Sequence, residues 1–125
     1  MKTLVALGAC MFGFAGMCHA AQIASPAIYG ALSQNVANCA VYNGGSTPQT
    51  VQLQIFDEAG TVLTMGNCGG PIPVGQFCNI VKIGLSNNKA YACAATVTGG
   101  NITRVRGTMI LQENGHASLR SAPLH

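Results

Sequence analysis

The sequence predicts an all-β protein, an antiparallel sandwich of seven or eight short strands, and three observations predict it. Beyond residue 20 no stretch keeps its apolar residues at helical spacing, whereas apolar–polar alternation recurs throughout. The alternating runs are short, about ten residues apart and separated by turn residues, which is the pattern of a sandwich or barrel. Four cysteines, Cys39, Cys68, Cys78 and Cys93, fall in this region, an even set that suits two disulfides in an oxidising compartment.

The chain opens differently. Lys2 supplies a short positive segment, Leu4 to Met17 carries no charge, and Cys18-His19-Ala20 ends on a small residue. This is the layout of a secretory signal peptide, because the apolar run is too short for a membrane span and hydrophilic residues follow it. Residues 1–20 are therefore read as a signal peptide. Residues 21–125 form one β-sandwich domain, secreted or periplasmic, with no membrane span after cleavage. Cys10 and Cys18 leave with the signal.

Ser25-Pro26 leads into a first strand over Ala27 to Leu32, a place where a missing backbone donor is tolerated. Val36 to Tyr42 follows, with Cys39 inward between Ala37 and Val41 and with Tyr42 outward. Asn43-Gly44-Gly45-Ser46-Thr47-Pro48 has strong turn chemistry. Thr50 to Phe56 is the clearest strand, with Val51, Leu53 and Ile55 on one face and Gln52 and Gln54 on the other. Asp57-Glu58-Ala59-Gly60 turns into Thr61 to Met65. The Gly/Pro-rich segment Gly66 to Phe77 precedes Asn79 to Leu85, where Val81, Ile83 and Leu85 are expected inward and Lys82 outward. Ser86-Asn87-Asn88-Lys89 then turns into the Tyr91 strand, whose inner face is Tyr91, Cys93, Ala95 and Val97. Ile102 to Leu111 alternates Val105, Met109 and Leu111 with Arg104, Arg106 and Thr108. Asn114-Gly115 reads as a type I′ hairpin into a last short strand, Ala117 to Ser121.

Beyond the signal the charges are Lys82, Lys89, Arg104, Arg106 and Arg120 against Asp57, Glu58 and Glu113. So mild and scattered a balance argues against nucleic acid as a partner. It also leaves little for acid–base chemistry: Asp57 and Glu58 diverge as neighbours at a turn, and Glu113 stands at another. No G-x-S-x-G, H-E-x-x-H or P-loop pattern occurs, so no enzymatic activity is expected. His116 and His125 belong to no ligand-spaced cluster, and Met65 and Met109 suit packing better than copper, so neither metal nor cofactor is expected. Asn101-Ile102-Thr103 matches a glycosylation sequon, a weak signal beside a bacterial-looking leader.

Four cysteines allow three pairings, and spacing alone selects none. Cys39 lies on the second predicted strand, Cys93 on the sixth, and Tyr91 two residues before Cys93. At these positions the chain resembles an immunoglobulin-like β-sandwich, in which a cysteine on the second strand bonds one on the sixth and such a tyrosine anchors a corner. The resemblance implies a Cys39–Cys93 bond across the core, which leaves Cys68 with Cys78. It departs from antibody domains in having no Trp. The chain is also similar in layout to short signal-bearing bacterial β proteins, a likeness that implies no activity.

Closing a loop as long as Cys39 to Cys93 stabilises a fold by roughly 4 kcal/mol, and one like Cys68 to Cys78 by roughly 3 kcal/mol. Both bonds are expected to be structural. The Cys68–Cys78 loop is also a candidate recognition loop displaying Ile72, Val74 and Phe77, since a stapled, proline-stiffened loop loses less entropy on binding. Arg104 and Arg106, placed on one outward strand face, are candidate surface contacts, although such charges also keep an exposed strand from pairing with other chains. The expected function is a non-enzymatic binding domain whose partner is another protein or a cell-surface component. The alternatives are a subunit of a surface assembly joined by strand addition, and a protease inhibitor acting through the Cys68–Cys78 loop.

Overall fold

Alternation at period two gives each strand one apolar face, and two sheets bury those faces against each other. The computed structural model describes residues 20–30, 34–113 and 116–125, the stretch 116–119 by its backbone alone. Among the described residues there are nine strands and no α-helix: β1 (Ala20–Ala24), β2 (Ile28–Tyr29), β3 (Gln34–Asn43), β4 (Thr50–Asp57), β5 (Val62–Gly66), β6 (Phe77–Lys82), β7 (Ala90–Thr98), β8 (Val105–Glu113) and β9 (His116–Leu124). A 3₁₀ turn, Ile102–Arg104, precedes β8. The first sheet has the order β1-β7-β4-β5, with β2 also on β7, and the second the order β6-β3-β8-β9; every pairing is antiparallel.

The expected inner rows form the core. Val51, Leu53 and Ile55 of β4, Tyr91, Cys93, Ala95 and Val97 of β7, and Val105, Met109 and Leu111 of β8 are all buried. Cys39 of β3 bonds Cys93 of β7 across the sheets, with a Cα–Cα distance of 5.8 Å, and both residues are fully buried. Cys68 bonds Cys78, with Cα atoms 5.7 Å apart. The Tyr91 hydroxyl donates to the Ser86 carbonyl at 2.7 Å, the bond of a tyrosine corner.

In this frame β3 and β6 pair as the immunoglobulin strands B and E do, and β4 and β7 as C and F do. The chain ends exchange places: β1 lies beside β7, where the last strand of that fold belongs, and β8 lies beside β3, where the first belongs. The two sheets also meet along one side, where Ala24 and His125 exchange backbone bonds of 3.0 and 3.1 Å.

Strand β1 was not among the expected strands. It begins at Ala20, the residue read as the last of the signal, and pairs Ala20–Ala24 with Ala94–Thr98. The strand expected over Ala27 to Leu32 is, among described residues, the short pair Ile28–Tyr29; Leu32 lies outside them. β1 and β2 are one edge interrupted at Ser25-Pro26. Proline offers no N–H, and Ser25 fills the break: its N–H donates to Cys93 O at 2.8 Å, and its hydroxyl accepts the Cys93 N–H at 3.0 Å. Asn114 and Gly115 lie outside the described residues, but β8 and β9 pair on either side of them, with Glu113 opposite His116.

The phase of β6 is the reverse of the expected one. Val81 and Ile83 are 48% and 65% exposed, while Cys78, Ile80 and Lys82 are half-buried. The Cys68–Cys78 bond turns Cys78 inward, and period two carries Ile80 and Lys82 with it. Ile80 packs so tightly on Gly66 of β5 that a Cβ there would lie 2.6 Å from Ile80 Cγ2. Gly84, at φ +71°, then breaks the alternation, so that Leu85 is inward as expected and its N–H donates to Asn35 O at 2.9 Å.

Candidate functional site

Loops at one end of the sandwich are organised by two buried amides. Asn43, the last residue of β3, donates through Nδ2 to the carbonyls of Thr47 and Ile72, both at 2.9 Å, and accepts the Gly45 N–H at 2.9 Å. Gln49 donates to Thr47 and accepts the Asn101 N–H at 3.1 Å. A side chain at Gly100 would collide with the Gln49 amide. These groups replace water as partners for buried loop backbone, which would otherwise be costly to desolvate. Sequence reasoning took Asn43 for turn chemistry alone and passed over Gln49; the signal available was a pair of amide residues flanking a Gly/Pro-rich loop between apolar strands.

This end holds Ile72 in the core, which corrects the expectation that the Cys68–Cys78 loop displays it. Ile72 is 3% exposed, because its backbone pairs with Gln49 through bonds of 2.7 and 3.0 Å and pulls its side chain inward. Val74 and Phe77 are exposed, as expected, and Phe77 at 73% is the most exposed of the large apolar residues described.

Arg104 and Arg106 do not share a strand face. Asn101 caps the 3₁₀ turn, its Oδ1 accepting the Thr103 N–H at 3.1 Å, and winds Ile102–Arg104 out of the strand. Arg104 sits instead against the Gly44-Gly45-Ser46 loop, where its carbonyl accepts the Gly44 N–H at 2.9 Å. Arg106 stays outward on β8, its Nη1 donating to the carbonyls of Thr103 at 2.6 Å and Val105 at 3.1 Å.

Arg106 and Phe77 flank Tyr42 in one cross-strand row on the outer face of the second sheet. Between them and Ala40, Gly107 and Thr108 lies a shallow groove of about 290 Å³. Tyr42 is 46% exposed. Gly107 lets the strands pack closely here: a Cβ would lie 2.9 Å from Leu124 Cδ2 and 3.0 Å from the Ala40 carbonyl, so both would have to shift. The groove joins two exposed rings, a small-residue floor and one guanidinium, a set with the chemistry to hold an apolar group next to a negative charge.

No family model, curated protein or solved structure matches this chain.

The described carboxylates lie elsewhere. Asp57 accepts the N–H groups of Ala59 and Thr61 at 3.0 and 2.8 Å, stabilising its own turn, and Glu58 stands 3.9 Å from Lys89. Glu113 is at the same end, opposite Gln34. Burial, aided by the charges of Glu58 and Asp57, pushes the Tyr91 phenol above its ordinary value, against the lowering effect of the Ser86 bond. Among the described residues no three His, Cys, Asp or Glu side chains gather as a metal site, and no helix is long and apolar enough to cross a membrane.

Proposed function

We propose that this protein is a secreted or periplasmic, non-enzymatic binding domain that grips another protein through the groove between Tyr42, Phe77 and Arg106. The observation that carries this reading is the clustering of two exposed aromatic rings with the Arg106 guanidinium, held by the Thr103 and Val105 carbonyls, on one sheet face. Aromatic and arginine side chains dominate the energetics of protein interfaces, and a β-sheet presents them on backbone that is already ordered. Two disulfides support export, because such bonds persist in oxidising compartments. The inhibitor alternative loses one of its three displayed side chains with the burial of Ile72.

A photo-crosslinking residue at position 77, tested in the native envelope or culture fluid, checks the proposal. The same residue at Gln52, on the outer face of the first sheet, serves as the control. The expected result is a discrete adduct from position 77 that Arg106→Ser weakens, with none from position 52. Equal labelling at both positions, or no adduct at 77, sinks it.

A further inference from the structure

Three of the four sheet edges carry a feature that discourages pairing with another chain. β1 and β2 are short, broken at Ser25-Pro26, and tied to the C-terminal residue by the Ala24–His125 bonds. β5 is five residues long and its pairing with β4 slips between Ile55 and Phe56. β9 carries Arg120 and Pro123. These are recognised defences of an exposed edge. β6 pairs with β3 in unbroken register from Phe77 to Lys82, contains no proline, and shows no charge on its outer face, where Phe77, Asn79 and Val81 stand; its one charge, Lys82, is half-buried on the inner face at the last residue of the strand.

The bonds of Asn43 reveal which backbone groups this edge offers. Its N–H donates to Gln76 O and its carbonyl accepts the Gly75 N–H, so Asn43 turns its backbone toward the β6 side. Alternation along an antiparallel ladder then turns Val41, Cys39 and Ala37 the same way, toward Cys78, Ile80 and Lys82. Phe77, Asn79 and Val81 therefore direct their N–H and C=O groups outward, to the open edge.

From this geometry we infer that β6 is a homodimer interface, pairing antiparallel with β6 of a second copy about a two-fold axis at Asn79. In that register Asn79 faces the partner's Asn79, and Phe77 faces the partner's Val81, with each pair exchanging backbone bonds. Phe77 against Val81 is an aromatic–β-branched pair, a favourable one across strands. The strand is self-complementary, as an isologous contact requires. The outer row is uncharged, so two mildly basic molecules meet there without opposed charges. The inference shares Phe77 with the groove, whose other lining residues, Tyr42, Ala40, Arg106 and Thr108 among them, lie on β3 and β8, away from the paired edge.

Sedimentation equilibrium of the disulfide-bonded protein tests it. The wild type should show a concentration-dependent dimer. Asn79→Pro removes an N–H from the open edge but none from the β3 ladder, and Val81→Lys puts a cation on the strand; each should weaken the dimer by roughly tenfold or more in Kd. Thermal melting of Val81→Lys confirms that it stays folded. Asn79→Cys should crosslink to itself across the axis, whereas Gln52→Cys should not. A monomer at every concentration up to about 1 mM, a dimer indifferent to Val81→Lys, or a crosslink at position 52 instead of 79 overturns the inference. Adducts from position 77 surviving in Val81→Lys keep the groove reading separate from this one.

Discussion

The two sheets share one core but present different surfaces to water. On the outer face of the first, polar side chains satisfy one another laterally: Gln22 donates to Thr96 at 3.5 Å, Gln52 to Asn67 at 3.2 Å, and Gln54 to the Met65 sulfur at 3.6 Å. On the second, Tyr42, Phe77 and Val81 stand exposed with Arg106 alongside. Inward faces cannot differ much, since both must fill one close-packed space. Outward faces are free of that demand: the first exposes Tyr29, Val62 and Met65 on its edge strands, whereas the second gathers Tyr42 and Phe77 beside Arg106 in one cross-strand row. Substitutions that reach the shared core or the joints between sheets should therefore cost stability, and those on either outer face should not.

The largest expected effect tests the joint at the centre. Replacing Cys39 and Cys93 together by Ala should cost about 4 kcal/mol in chemical denaturation, while the same change at Cys68 and Cys78 should cost about 3 kcal/mol. The half-buried Cys68–Cys78 bond should also be the first to yield to a dithiol under native conditions, because attack requires access to sulfur. If both bonds reduce together, the core clamp is not shielded by the sheets.

Next in size is Gly100→Ala. Its Cβ would displace the Gln49 amide, leaving the Asn101 N–H without its acceptor and the Thr47 carbonyl with Asn43 alone as donor. A loss of about 2 kcal/mol is expected, with exchange protection falling at Ile72 and Asn43 first. Protection lost evenly over both sheets would show that these loops are not a separate unit.

Tyr91→Phe removes one hydrogen bond and should cost about 1 kcal/mol near neutral pH. Its pH dependence is more telling. The folded phenol titrates above its ordinary value of 10.0, so the native state holds that proton longer than the unfolded state does. The stability this provides is complete below about pH 10 and is lost as pH rises from there through the folded pKa. Denaturation measured across that window should fall more steeply for wild type than for Tyr91→Phe. Parallel slopes would mean that the ring does not titrate differently on folding.

Where the sequence was legible, the signal was local. Val51, Leu53 and Ile55 alternate with glutamines, and Tyr91 with Cys93 sets a two-residue offset that the fold uses as expected. The misses are long-range. Val81 and Ile83 are as apolar as any core row, and the Cys68–Cys78 bond, which turns Cys78 inward, sets the phase in which they face out. Ile72 is buried by pairing with Gln49, more than twenty residues away in the chain. Arg104 leaves its strand because Asn101 competes locally for its backbone. Ala20–Ala24 is too short and too weakly patterned to be read as a strand without β7 beside it. The groove itself was divided in the sequence among Tyr42, Phe77 and Arg106, which only sheet register brings into one row.

The smallest expected effect is the most direct test of the contrast between faces. Phe77→Ser and Gln52→Ser place the same small residue on the outer faces of the second and first sheets. Each should change stability by no more than about 0.5 kcal/mol, as exposed positions usually do. They should differ in what they do to the surface: an apolar fluorescent dye should bind the wild type and Gln52→Ser alike, and Phe77→Ser more weakly. A cost above about 1.5 kcal/mol for Phe77→Ser would match the loss of a buried apolar side chain, and the ring would then belong to the packing of β6. Equal dye binding by both variants would leave the second face no more adhesive than the first.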